Sequence, residues 1–115
     1  MIQRGDVVMV EFPYTDVARS KVRPTVVVQN DRDNQRLRKT VVAMITGNLR
    51  RRGDPSHLFI DPATEPAVGL RFPSLVSCNN LLTAEQADIR QTLGQLSDAL
   101  KQKLNDCLKA ALELT

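Results

Sequence analysis

This 115-residue chain is poor in the residues that most folds use for specialised chemistry. It has no tryptophan, one tyrosine and three phenylalanines. That scarcity argues against a broad aromatic platform for stacking bases. It has one histidine, His57, and two cysteines, Cys78 and Cys107, which lack the paired spacing of a zinc site. A metal centre is therefore not expected. Two unclustered cysteines in apolar contexts fit a reducing compartment better than a disulfide scaffold. The five glycines form no phosphate-cradling loop. No apolar run reaches the length of a membrane span, and the first residues, MIQRGDVVMV, hold no signal-peptide core. These features predict a cytoplasmic protein without a membrane partner, and one domain over residues 1–115 that folds without staples.

What is present is charge, unevenly placed. Residues 1–60 carry 11 Lys and Arg against 6 Asp and Glu, a net of +5. Residues 61–115 carry 5 against 7, a net of −2. A basic front half suits an anion, and nucleic acid is the commonest large one.

Alternation and turn residues predict several short strands. Val7–Phe12 reads as the first, stopped by Pro13. Arg23 to about Asn30 reads as the second, and residues 31–39 as a polar connection. Strands at 40–46, 56–60 and 74–78 follow, separated by a basic loop at 47–55 and a proline-broken stretch at 61–73. Thr83–Gln86 matches a capping box and predicts a short helical turn. Ile89–Gln95 reads as a last strand weakened by Gly94. Ser97 caps a final helix with an apolar stripe of Leu100, Leu104, Cys107, Leu108, Ala111 and Leu112. The pattern predicts a mainly β, α+β protein: a small antiparallel β-barrel with appended helices.

The segment with most chemical content is VRPTVVVQND, residues 22–31. Pro24 holds Arg23 extended, so a guanidinium stands where a loop becomes a rigid strand. Its planar fork matches two phosphoryl oxygens. A charge flanking a strand is common in itself. Thr46 closes the next strand before Gly47. If those two strands pair antiparallel, Arg23 and Thr46 lie at one end of the sheet. Tyr14, Lys21, Asn48, Arg50, Arg51 and Asn79 complete the polar candidates, each equally at home as a solvated surface group. His57, alone at the start of an apolar strand, reads as a packing residue.

RGDVVMVEF, RPTVVVQND, VVAMITGN and SLVSCNNL with a helical tail, taken in that order, resemble the MazF/PemK family of toxin endoribonucleases. The resemblance covers almost the whole chain. It implies an SH3-like barrel of the CcdB/MazF type with a C-terminal helix, a homodimer, and sequence-specific cleavage of single-stranded RNA (mRNA). It also implies a cognate antitoxin whose disordered tail occupies the RNA groove. The arginine before the proline, catalytic in the family, falls on Arg23. The threonine closing the next strand falls on Thr46. The loop bordering the family's active site falls on residues 13–22. Tyr14 would then stack a base, Lys21, Arg50 and Arg51 would hold phosphates, and Asn79 would read a base edge. Two departures stand out. The Ser-Glu-Gln run of many members is replaced by TDVARSK, and an acidic residue that some members place after the fifth strand is Asn79. The scheme built on Arg23 and Thr46 calls for no cofactor or metal. A gyrase-poisoning, CcdB-like toxin and a non-catalytic RNA-binding module are the alternatives on the same barrel.

Overall fold

The computed structural model describes residues 1–13 and 20–114, with Pro13 and Ser20 described by their backbone alone. In chain order the elements are β1 (Asp6–Pro13), β2 (Ser20–Val27), α1 (Asp31–Arg36), β3 (Lys39–Thr46), β4 (His57–Ile60), β5 (Ser74–Glu85), β6 (Ile89–Gln95) and α2 (Asp98–Leu112). The strands form one antiparallel sheet in the order β4-β5-β3-β2-β1-β6. The sheet curls into a half-barrel, and α2 packs on it. This is the expected architecture.

Strand alternation puts two apolar faces on the sheet. Val7, Val26, Ala43, Ile45, Leu58, Val76 and Cys78 face α2 and meet its Leu100, Leu104 and Cys107. Val8, Val10, Val27 and Val42 form a smaller cluster on the other face, with Ala84 over them. Ser97 Oγ accepts from the Leu100 amide and starts α2 as expected. The stripe ends earlier than the spacing suggests: Leu108 and Ala111 pack on the core, but Leu112 is half exposed.

The open edge at β6 is met by backbone from the connection between β4 and β5. A 3-10 turn at Pro66–Val68 lies against β6. A Cβ on Gly94 would fall 2.1 Å from the Ala67 carbonyl oxygen. Gly69, at φ +74°, leaves the turn with the Leu93 carbonyl equally close to where its Cβ would be. Only glycine allows both approaches.

The Arg4-Gly5-Asp6 opening proves to be structural. Arg4 Nε donates to the Val28 carbonyl and its Nη2 to Asn105 of α2. Asp6, nearly buried, accepts from the Gln3 amide and from Gln95 Nε2, both at 2.9 Å.

Three expectations need correcting. Strand β2 starts at Ser20 and ends at Val27, rather than running from Arg23 to Asn30. It starts earlier because β1 holds it as far as the Pro13–Ser20 pair. It ends earlier because Asn30 turns to cap α1, accepting from the Asp33 amide at 2.8 Å. The connection at 31–39 therefore contains a helix. Its buried Asn34 bonds Thr40, Gln29 and Gln86, which ties it to the sheet. Third, β5 runs on to Glu85, because β3 pairs with it as far as Lys39–Glu85. Thr83 is strand, and the short 3-10 turn that follows at Gln86–Asp88 has no side-chain cap.

Candidate active site

Arg23 stands in the middle of β2, paired with Val10 of β1 rather than at a loop-to-strand junction, and the β3 side of the strand is unusual there. Val28 donates its N–H to Val41, so the even-numbered residues of β2 direct their backbone groups toward β3. Pro24 is one of them and has no N–H to give. The β2–β3 ladder accordingly runs through Val27–Val42, Val26–Ala43 and Thr25–Met44 and stops there. The same register continued by two residues sets Arg23 opposite Thr46. Residues paired across antiparallel strands share a face. Arg23 and Thr46 thus share the face of Thr25, Val27 and Val42, away from α2. Arg23 is exposed, and among the described residues no hydrogen bond or ion pair restrains its guanidinium.

Thr46 has its oxygen oriented. The Asn48 amide donates to Thr46 Oγ1 at 3.1 Å, and Asn48 Oδ1 in turn accepts from the Arg50 amide at 3.0 Å. With a lone pair so engaged, the hydroxyl proton is left to donate outward. These two short bonds shape the start of the basic loop. Gly53, at φ +99°, turns its far end, and the His57 amide closes it on the Asp54 carbonyl.

This loop roofs a cavity of about 660 Å³ over β3, β5 and β4. Thr46, Asn48, Arg50, Arg51 and Asn79 all line it. Five of the eight sequence candidates are therefore gathered in one place. Lys21 and Arg23 lie on β2, outside the lining, and Tyr14 falls outside the described residues. The three consecutive arginines are not equivalent. Arg52 sits 3.6 Å over the Phe59 ring. Arg51 pairs with Asp54 at 3.7 Å in an exposed, weak ion pair. Arg50 has no ion pair among the described residues.

His57 also lines the cavity, beside Ser77, its partner on β5. A lone strand histidine gave no sign in the sequence of which side it faces. The alternation of Phe59 and His57 against Leu75 and Ser77 supplies that information only once the pairing is known. Among the described residues no cluster of His, Cys, Asp and Glu is arranged to hold a metal ion. No helix among them is long and apolar enough to cross a membrane.

The fold and the site define a small α+β protein: a curled antiparallel half-barrel with a polar cavity at its loop end, lined in part by Arg50 and Arg51. The family model of the PemK-like, MazF-like toxins of type II toxin–antitoxin systems matches residues 3–112. The chain belongs to that family. It is similar to the endoribonuclease MazF of Staphylococcus saprophyticus, with 27% identity over 99% of this chain and 93% of that one. Among solved structures it resembles a mycobacterial endoribonuclease in complex with its cognate antitoxin. The TM-score is 0.79 at 24% identity, over 100% of this chain and 98% of that one. It also resembles a chain of the MazE–MazF crystal structure from Deinococcus radiodurans, at TM-score 0.76 and 16% identity, over 99% and 98% of the two chains. At these identities the structural matches speak for the fold.

Proposed function

We propose that this chain is the toxin of a toxin–antitoxin pair and acts as a sequence-specific endoribonuclease on single-stranded RNA. Family membership and the similarity to an endoribonuclease MazF support the activity. The observation that carries the mechanism is the register that sets Arg23 opposite Thr46 on one face of the sheet.

RNA brings its own nucleophile. The 2′-hydroxyl attacks the adjacent phosphorus, the 5′-oxygen leaves, and a 2′,3′-cyclic phosphate remains. DNA lacks the hydroxyl, so the chemistry itself discriminates. The protein must align the attack and bind the charge that builds on the phosphorane. Arg23 suits the second task, since its fork presents two parallel N–H donors to two phosphoryl oxygens. An unrestrained guanidinium beside the end of the β2–β3 ladder has room to do so. Thr46 donates its hydroxyl proton to the same phosphoryl group from a strand end already fixed by the Asn48 amide. Arg50 and Arg51 hold flanking phosphates at the mouth of the cavity, with Lys21 on the β2 side and Asn48 and Asn79 lining the path of the strand. Tyr14 stacks a base. The reaction proceeds without a metal cofactor.

The domain spans residues 1–115, works in the cytoplasm and pairs with a second copy as a homodimer. Its antitoxin covers the RNA-binding face with a disordered tail. A mycobacterial relative of the same fold is described in complex with its cognate antitoxin, which favours that arrangement. Incubation of the purified protein with a long mRNA in excess chelator tests the proposal. Discrete fragments ending in 2′,3′-cyclic phosphate are expected, and they disappear in Arg23→Ala. Intact RNA across many sequences would contradict it.

A further inference from the structure

His57 is more than nine-tenths buried, yet one of its ring nitrogens is left open. Nδ1 lies 3.1 Å from Ser56 Oγ. Nε2 has no hydrogen bond within the described residues, and none of their side-chain nitrogens or oxygens is both sealed from solvent and unpartnered. Nε2 therefore reaches solvent, and the cavity is the open space that His57 lines.

The pairing locates this nitrogen relative to the proposed reaction centre. Thr46 pairs with Leu75, and Leu75 with Phe59. Met44 pairs with Ser77, and Ser77 with His57. His57 is thus two strands across and two residues along from Thr46. At about 4.8 Å per strand and 3.3 Å per residue the two α-carbons are about 12 Å apart. Two hydrogen bonds of about 2.8 Å with a phosphate between them fall short of it. At that backbone separation His57 is set apart from Thr46 rather than placed beside it as a base for the same phosphate. It is placed to meet the next part of the strand.

We infer that His57 is a specificity residue: its Nε2 reads the hydrogen-bonding edge of one unstacked nucleobase next to the cleaved bond. The inference rests on the endoribonuclease reading above. The chemistry around Nε2 fits a base better than a phosphate. Ser77, Asn79 and Asn80 beside it on β5 bring hydroxyl and amide groups that both donate and accept, as a base edge requires. The Ser56 hydroxyl sets what Nε2 offers. When it donates to Nδ1, Nε2 carries the proton and donates; when it accepts from Nδ1–H, Nε2 accepts.

The test is the cleavage-site spectrum of the full chain on a pool of random-sequence RNA, read by sequencing the fragment ends. His57→Ala and His57→Gln are compared with wild type and with Thr46→Val, and thermal melting checks that each is folded. In His57→Ala the preference at one position next to the cut relaxes by about tenfold, the scale of one base-edge contact, while the other positions keep theirs. His57→Gln changes which base is favoured there. Thr46→Val slows every site alike. Ser56→Ala, which keeps the imidazole and removes its partner, relaxes the same position by a smaller factor and decides the matter if the His57 variants do not fold. A spectrum unchanged in folded His57 variants, or a loss uniform over all sites, overturns the inference and leaves the endoribonuclease reading standing. A wild-type protein that cuts no member of the pool removes both.

Discussion

The β2–β3 register, continued two residues past its last pair, Thr25–Met44, sets Arg23 across from Thr46. Between that last pair and these two residues lies Pro24, whose missing N–H faces β3. One proline thus both extends the arginine and ends the ladder beside it. The first effect concerns local backbone sterics, the second sheet pairing, and together they leave an unrestrained guanidinium on a fixed backbone whose β3 side is unpaired.

Thr46 should be sensitive to loss of its hydroxyl but not to loss of its methyl. Thr46→Val removes one donor to the phosphorane and should lower the single-turnover cleavage rate by about 10²–10³, as for other transition-state donors. Thr46→Ser should keep most of the rate. Equal losses in both would mean that the methyl group, not the hydroxyl, matters.

The apolar stripe of α2 should divide sharply by burial. Leu104 has no exposed surface, while Leu112 is half exposed. Leu104→Ala should cost about 2–5 kcal/mol in urea unfolding. Leu112→Ala should fall within about 0.5 kcal/mol of wild type.

Gly94→Ala should destabilise although alanine is the smallest change available. Its Cβ would meet backbone oxygen of the 66–68 turn, which has no flexible end to move aside. A loss of about 1–3 kcal/mol, the usual range for overpacking, should appear as a lowered denaturation midpoint. An unchanged midpoint would show that the turn and β6 are free to separate.

Cys78 should make stability fall at high pH. Burial pushes its thiol up to about 12 from an ordinary 9.0, with Cys107 beside it adding to the effect. The folded state therefore holds a proton that the unfolded state has lost between those values. Stability from this group is complete below about pH 9 and declines as pH rises toward 12. Unfolding measured from pH 8 to 10 should lose less stability in Cys78→Ala than in wild type. The thiol should also resist alkylation until the chain unfolds.

The sequence carried the barrel because its strands are marked twice. Val26–Val28 and Val41–Val42 are β-branched runs, and Pro13, Gly47 and Pro62 punctuate them. Helix α1 escaped notice because DRDNQR has no apolar periodicity. It is held by Asn30 at its cap and by the buried Asn34, so polar bonds replace the hydrophobic stripe. The second half of β5 was hidden by Thr83–Gln86, whose capping-box pattern is overridden by pairing with β3. At the site, Thr46, Asn48, Arg50, Arg51 and Asn79 were legible as polar residues at strand ends and in the basic loop. His57 was not, since facing inward or outward depends on register, which a four-residue strand does not announce.

The central claim is that Arg23 acts through the geometry of its fork rather than through charge alone. Arg23→Lys keeps the charge and loses the second parallel donor. RNA affinity and single-turnover cleavage measured on the same preparation separate the two. Near-normal binding with cleavage slowed by about a hundredfold is the predicted result. Cleavage at the full rate would contradict it and reduce Arg23 to a point charge.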